Sequence, residues 1–193
     1  VYCSTLTAYG LTVYNFKLKK FAWGFIYAIM MIPQQVSIVG FIKICNLTHI
    51  YGSYLAMIIP AIAAPTTVYF MKQYMESALP LSLVEAARID GSGEFRTFNS
   101  IVLPLMKPAI AVQAIFTFVA NWNNYFTPAL VLHDDKMKTL PILIAQLRSA
   151  DFLKFDMGQV YVTIAFSIFP VIIVYLFLSK YIVQGVAMGS VKG

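Results

Sequence analysis

Four stretches of this chain, residues 21–42, 53–71, 109–132 and 159–179, contain no Asp, Glu, Lys, Arg or His. Each is long enough to cross a bilayer as a helix, which takes roughly 17–25 mostly apolar residues. Only 11% of the residues are charged and 60% are hydrophobic, whereas a soluble domain has about 25% charged residues. A soluble domain of this size cannot bury so much apolar surface, so the sequence predicts an all-α membrane protein.

Residues 1–16 are predicted to form the end of a further span, which gives about five spanning helices. The chain opens on Val1 inside this apolar stretch, so we expect it to be part of a longer protein. Pro33 lies in the middle of the span at 21–42 with Gln34 and Gln35 beside it. This group predicts a kink.

The distribution of Lys and Arg predicts the orientation. One side of the predicted membrane carries nine of the 14 basic residues and the other carries five. Because basic loops are retained in the cytoplasm, we expect residues 71–108 and the C-terminus inside and residues 133–158 outside. The same rule accounts for the net charge of +6. Since no basic stripe with interleaved aromatics occurs, no nucleic-acid partner is expected.

The sequence lacks the residues on which several classes of function depend. The four complete spans hold no ionisable group to carry a coupling charge, so a proton- or ion-coupled transporter is disfavoured. A phosphate-binding G-x-x-x-x-G-K-[ST] motif and a catalytic triad pattern are missing from the sequence. His49 and His133 have no second ligand at metal spacing. We therefore expect no catalytic residue, no metal and no cofactor, and an energy source outside this chain.

Two short helices are predicted between residues 80 and 104. The first begins either with Pro80 at its first position or with a capping box from Ser82 to Glu85. The sequence is compatible with both starts. Asp90 and Gly91 are predicted to end it, since Gly takes the left-handed conformation at low cost.

The second helix is predicted to begin after Ser92 as N-cap and to end or bend at Pro104. The apolar residues predicted to pack these two helices on the rest of the protein are Leu83, Ala87, Ile89, Phe95, Phe98 and Val102. The residue pattern alone leaves open an interfacial helical hairpin that has no partner.

A known pattern is carried by Glu85-Ala86-Ala87, by Asp90-Gly91 and by residues 101–105 with Pro108. It resembles the EAA loop of the permeases of binding-protein-dependent ABC importers. Trp122-Asn123 and the ending at residues 185–193 resemble the carbohydrate branch of that family. The resemblance runs in order along the whole chain.

The resemblance implies the transmembrane domain of a type I ABC importer that lacks the family's N-terminal helix. It implies one domain over residues 1–193, with a cytoplasmic EAA coupling loop at 76–108. The function implied is that of a non-catalytic permease subunit for a sugar or oligosaccharide in a bacterial inner membrane. The implied partners are a second permease subunit, an ATPase dimer and an extracellular solute-binding protein. The alternative is a permease for a polyamine, a phosphate ester or a peptide.

The resemblance also implies roles for single residues. Glu85 would supply a charged contact to the ATPase and Gly91 the turn that fits the loop into its cleft, with Ala86, Ala87 and Asp90 beside them. The tail residues implied as a second contact to the ATPase are Gly189, Lys192 and Gly193. A frayed, solvated end is the alternative for the tail.

Polar side chains recur along one face of the span at 109–132, at Gln113, Thr117, Asn121 and Asn124. They either hydrogen-bond neighbouring helices or line a pathway, with Trp122 or Tyr125 placed to stack on a sugar ring. Such stripes are common between packed helices, which favours interhelical bonding.

Overall fold

A computed structural model describes residues 1–149 and 156–190, with side chains through Lys180. The described residues are helical or lie in turns and short connections, and they form two compact units. The first unit comprises Val1–Pro33, Ile62–Ala114 and the chain from Leu178 onward, and the second comprises Gln34–Ala61 and Ile115–Phe177. The predicted all-helical membrane fold is confirmed.

The first unit is organised around α5, against which α1 and α2 pack. Its helices are α1 (Tyr2–Val13), α2 (Lys19–Met30), α5 (Pro65–Ala78), α6 (Leu81–Ile89), α7 (Glu94–Thr97), a π-helical segment (Phe98–Val102) and α8 (Leu103–Leu105). A core of fully buried side chains forms where α1, α5 and the π-helical segment meet; its largest members are Phe98, Met71, Met75 and Met106. This core fixes the segment from α6 to α8 on the first unit.

The second unit contains α3 (Gln34–Leu47), α10 (Phe126–Val131) and α11 (Leu140–Ser149), with a 3-10 turn at Asp135–Met137. Three helices run from one unit into the other: α4 (Leu55–Ile62), α9 (Lys107–Trp122) and α12 (Met157–Ser190). The small core of the second unit is formed by Cys45, Ala56 and Val131.

Two described segments, Leu55–Ala78 (α4 and α5) and Met157–Lys180, are each long and apolar enough to cross a membrane as one span. Two bent helix pairs bring the number to four, if each pair counts as one span: Lys19–Met30 with Gln34–Leu47, and Glu94–Leu105 with Lys107–Trp122. In addition, α1 contributes 12 apolar-rich residues where the sequence predicts the end of a span.

Three predicted spans are interrupted, the one at 53–71 between the end of α4 at Ile62 and the start of α5 at Pro65. The kink predicted at Pro33 is a complete break, because helix α2 ends at Met30 and α3 begins at Gln34. The span at 109–132 was expected to be continuous, and this is wrong: α9 ends at Trp122. The Asn123 amide donates to Val119 O at 2.9 Å, and Asn124 Oδ1 accepts from the Thr127 N–H at 3.3 Å. Asparagine side chains that bond the local backbone in this way compete with helix continuation.

Candidate functional site

The first helix of the loop, α6, begins between the two predicted starts: one residue after Pro80, and two residues before a helix capped by Ser82 would begin. Leu81 is its first residue and Pro80 occupies the N-cap with extended backbone angles, without a side-chain cap hydrogen bond. The capping box predicted between Ser82 and Glu85 is therefore wrong. Pro80 instead sets the direction in which the chain enters the helix, since its φ is fixed near the observed −69°.

The end of α6 at Gly91 is as predicted, and its hydrogen bonds form a Schellman motif. Gly91 has φ +76°. Its N–H donates to Arg88 O at 3.0 Å, and the Ser92 N–H donates to Ala87 O at 2.9 Å. These two bonds satisfy carbonyls that the end of a helix leaves free. The left-handed conformation makes glycine the residue of least strain at this position.

The second helix begins at Glu94 with Gly93 as N-cap, so the prediction of Ser92 as N-cap is wrong. Ser92 Oγ instead accepts a hydrogen bond from the Thr97 hydroxyl at 3.0 Å. The helical path continues past Pro104 to Leu105 and then bends by 79° into Lys107–Trp122. Pro104 lies in the first turn of α8, where its missing N–H is tolerated, so the bend comes after it.

Burial divides the six apolar residues predicted to pack the loop. Ala87, Phe98 and Val102 are buried, together with Val84, which the sequence analysis did not select. The other three are exposed, so their predicted packing role is wrong: Leu83, Ile89 and Phe95. Ile89 is 87% exposed and Phe95 is 67% exposed. The loop thus holds to the first unit through one set of apolar residues and leaves another set uncovered.

Glu94 is the centre of a polar cluster that the sequence analysis did not predict. Its Oε1 lies 2.7 Å from Arg88 Nε, and its Oε2 accepts from the Tyr9 hydroxyl at 3.1 Å. The Tyr14 hydroxyl also bonds this carboxylate, and the Arg88 guanidinium lies over the Tyr14 ring, 5.4 Å from its centroid. The only sign of this cluster in the sequence is that the opposite charges of Arg88 and Glu94 lie on either side of Asp90-Gly91. The cluster joins α6 and α7 to α1.

The charges in this cluster stabilise one another. Hydrogen bonding from Arg88, then from Tyr14, lowers the pKa of the Glu94 carboxyl from 4.5 to about 2. The hydrogen bond to Glu94 raises the pKa of Arg88 in turn. Both groups are charged at neutral pH as a result, so the link across Gly91 is an ion pair.

The other residues predicted to couple to an ATPase lie on both sides of α6. Glu85, Ala86 and Asp90 are exposed, whereas Ala87 is only 5% exposed. Ala87 therefore belongs to the packed side of the helix, as its place among the predicted packing residues implies. Of the tail residues, Lys192 and Gly193 lie outside the described residues, and Gly189 is described only by its place in α12.

The polar stripe predicted on the span at 109–132 is divided by the end of α9. Gln113 is buried, and Asn121 donates to Thr117 O of its own helix at 2.7 Å. Asn124 lies beyond the end of the helix, so the prediction that it shares a helical face with the other three residues is wrong. Next to the stripe, Trp122 bonds a second helix: its Nε1–H donates to Ser167 O of α12 at 2.9 Å.

The Gln34 side chain, next to Pro33 at the predicted kink, donates to Thr127 Oγ1 at 3.3 Å. This bond joins the first turn of α3 to α10 within the second unit. The freed end of α3 thus has a polar contact next to the proline, as expected for a broken helix at membrane depth.

Comparison with known proteins identifies the family. Residues 1–188 match the family described as the inner membrane component of binding-protein-dependent transport systems. The chain belongs to this family. Its members are the permease components of ABC transporters, so the membrane assignment made from hydropathy agrees with the family.

Individual relatives are similar in sequence to this chain over nearly all of its length. It is 38% identical over 196 residues to the arabinooligosaccharides transport system permease protein AraQ of Bacillus subtilis, covering 100% of this chain and 68% of that protein. It is 31% identical to the sn-glycerol-3-phosphate transport system permease protein UgpE of Yersinia pestis, covering 94% of this chain and 64% of that protein. The chain thus spans about two thirds of the length of these relatives.

A solved structure shows the same fold. The crystal structure of a bacterial ABC transporter that imports the acidic polysaccharide alginate contains a chain that matches with a TM-score of 0.80 at 23% identity. The match covers 94% of this chain and 69% of the other. At this identity the likeness supports the fold of the transmembrane domain alone.

Proposed function

We propose that the chain is a permease subunit of an ATP-driven importer for a sugar or oligosaccharide. It forms one transmembrane domain in a bacterial inner membrane, with its C-terminus in the cytoplasm. A second permease subunit completes the pathway, an ATPase dimer hydrolyses ATP, and an extracellular binding protein delivers the solute. The chain itself has no catalytic role, and its loop at 76–108 receives the ATPase.

The observation that carries this proposal is the uncovered surface of α6 and α7. Ile89 and Phe95 are mostly exposed on a loop that the Lys and Arg distribution assigns to the cytoplasm. Glu85, also exposed, lies one helical turn before Ile89 on α6. Large apolar side chains with a charged neighbour are typical of a protein interface. Together with the family match, this surface supports docking of an ATPase.

The internal bonds of the loop support a mechanical role. The Schellman motif at Gly91 fixes the angle between α6 and α7, and the ion pair between Arg88 and Glu94 bridges that turn. Tyr9 bonds the same carboxylate from α1. A partner that displaces α6 therefore also pulls on α1, so closure of the ATPase dimer moves a membrane helix.

The relatives support the choice of solute class. A permease named for arabinooligosaccharides is 38% identical to this chain over its whole length, which favours a sugar or oligosaccharide. The second candidate is a phosphate ester, which the 31% identity to the sn-glycerol-3-phosphate permease favours. No specific observation favours a polyamine or a peptide.

The proposal is tested by co-purification. The full-length protein is co-expressed with candidate partner permeases and candidate ATPases, and the ATPase retained on the tagged permease is measured. Glu85→Ala and Gly91→Pro are expected to release the ATPase and abolish ATP-dependent uptake. Asp135→Ala, a change of another exposed carboxylate on the opposite predicted side, is the matched control. Full retention and normal uptake in both loop variants would leave the loop as an interfacial hairpin and refute the docking role.

A further inference from the structure

A cavity of about 260 Å³ opens in the second unit at the end of α9, among residues of α9, α11, α12 and the segment that follows α9. Its lining includes Trp122, Asn123, Tyr125, Arg148 and Ser167. Pockets for larger organic ligands measure about 300–1,000 Å³, so this cavity suits a ligand the size of one sugar ring. It lies on the side where the charge distribution places the outer surface of the membrane.

The aromatic wall of the cavity is held in place before any ligand arrives. The Trp122 indole N–H donates to Ser167 O at 2.9 Å, and its ring stacks on Phe118 with centroids 5.6 Å apart and planes 18° apart. Tyr125, which is 49% exposed, adds a second ring to the lining. A fixed aromatic face binds the C–H face of a sugar with little loss of conformational entropy.

One of the two polar atoms of the Asn123 amide is already hydrogen-bonded within the protein. Its Nδ2 donates to Val119 O at 2.9 Å, which directs the amide nitrogen toward α9. The Oδ1 atom remains an acceptor and can take a hydrogen bond from a ligand hydroxyl. The cavity thus combines an apolar ring face with a polar group, as sites for small polar ligands do.

Arg148 gives the cavity its charge. It is exposed on the last turn of α11, and it forms no ion pair with any carboxylate within residues 1–149 and 156–190. The nearest described carboxylate along the chain, Asp156, accepts from the N–H groups of Gly158 and Gln159 at the start of α12. A guanidinium presents a planar fork of donors that matches a carboxylate or phosphate.

We propose that this cavity binds a sugar ring that carries an anionic group, with the ring on Trp122 and the anion on Arg148. The proposal rests on the proposed function, since it names the class of solute that such a permease would contact at its outer side. The anion is either the carboxylate of a uronic acid or the phosphate of a sugar phosphate. The common chemistry is a pyranose face joined to a charge that a guanidinium can chelate.

The test uses tryptophan fluorescence of the detergent-purified permease and ATPase complex containing the intact gene product. Galacturonate and glucose 6-phosphate are titrated, with galactose, acetate and inorganic phosphate as probes that lack one of the two features. Saturable quenching is expected for galacturonate or glucose 6-phosphate, and the stronger of the two identifies the anion. Trp122→Phe should remove the signal, whereas Trp23→Phe should keep it, because Trp23 lies in the first unit stacked on Tyr69.

Arg148→Gln is expected to weaken binding of the anionic sugar by about 10- to 100-fold, as loss of hydrogen bonds to a charged group does. Arg148→Lys should fall between wild type and Arg148→Gln because it keeps the charge without the fork. Lys136→Gln, at another exposed cation of the same predicted outer segment, should have little effect. Equal binding of galactose and galacturonate, no quenching by either anionic sugar, or an unaltered affinity in Arg148→Gln would overturn the proposal.

The same preparation separates this proposal from the proposed function. If the ATPase co-purifies and is active while the affinity for the anionic sugar is unchanged in Arg148→Gln, the anion site is refuted and the importer assignment stands. If no ATPase co-purifies and no ATP-dependent uptake occurs, the importer assignment is refuted whatever the fluorescence shows.

Discussion

Arg88 Nε and Glu94 Oε1 lie 2.7 Å apart, and this contact links the last turn of α6 to the first residue of α7 across Gly91. The Tyr9 hydroxyl reaches the other oxygen of the same carboxylate from α1. One side chain therefore connects both helices of the loop to the first helix of the chain. Its mechanical contribution and its contribution to stability can be measured separately.

Glu94→Gln should reduce coupling more than stability. The two side chains of the pair are 38% and 43% exposed, and exposed pairs add little to folding, so we expect the melting temperature of the purified complex to fall by a few degrees at most. The ratio of solute imported to ATP hydrolysed should fall clearly, because α6 and α7 lose their charged link. Glu76→Gln is the matched control, since Glu76 pairs with Lys72 along α5 and does not bridge the turn. An unaltered ratio in Glu94→Gln would argue against the mechanical role.

The stability that Glu94 adds should depend on pH in a defined window. Its pKa is lowered from 4.5 to about 2, mainly by Arg88, so the folded state favours the charged carboxylate. A carboxyl with a lowered folded-state pKa stabilises the fold above its ordinary pKa and loses that effect as the pH falls toward the folded-state value. The difference in melting temperature between wild type and Glu94→Gln is expected at about pH 6 and should shrink by about pH 3. The same difference at both pH values would contradict this assignment.

Two glycines on either side of Ser92 offer a matched pair of substitutions. Gly91 has φ +76°, whereas Gly93 has φ −65° and is the N-cap of α7; a Cβ at either position meets no atom within 4 Å. Gly91→Ser should destabilise the fold by roughly 1–2 kcal/mol, the cost of a left-handed residue with a side chain. Gly93→Ser should be neutral or stabilising, because Ser is a favoured N-cap. Thermal unfolding of both variants, with ATPase retention as a second measurement, tests the expectation. Equal losses would contradict it.

The sequence predicted the helical architecture well because the signals were local and strong. Long uncharged stretches gave the membrane helices, and the Asp90-Gly91 dipeptide gave the end of α6, where the residue preference is a backbone property. The end of α9 at Trp122 was missed. An apolar stretch gives no sign that Asn123 and Asn124 will turn their side chains onto the local backbone.

The sequence predicted the contacts of the loop less well. Phe95 and Phe98 fall on one predicted helix at helical spacing, and nothing in their identities tells which one faces the protein. The π-helical segment at Phe98–Val102 adds a residue to the turn and changes which side chains point inward. The Glu94 cluster depends on Tyr9 and Tyr14, which lie about eighty residues away in sequence, so local pattern could not find it.

Phe95 and Phe98 lie three positions apart in the chain, yet the Phe95 side chain is 67% exposed and the Phe98 side chain is fully buried. Phe98 packs edge-on to Tyr2 with centroids 5.7 Å apart and against Tyr9 at 5.4 Å. Phe98→Ala should therefore destabilise the protein by about 3–5 kcal/mol, as removal of a buried aromatic ring does.

Phe95→Ala removes a ring that contacts solvent, so its effect on unfolding should stay within about 0.5 kcal/mol. If Phe95 is part of the surface that the ATPase covers, the same change should weaken ATPase binding at least about tenfold, as loss of an aromatic anchor at an interface does. Thermal unfolding and ATPase titration on the same two variants measure both effects. A stable Phe95→Ala protein that binds the ATPase as wild type does would remove Phe95 from the docking surface, whereas loss of binding without loss of stability would assign the uncovered side of the loop to the partner.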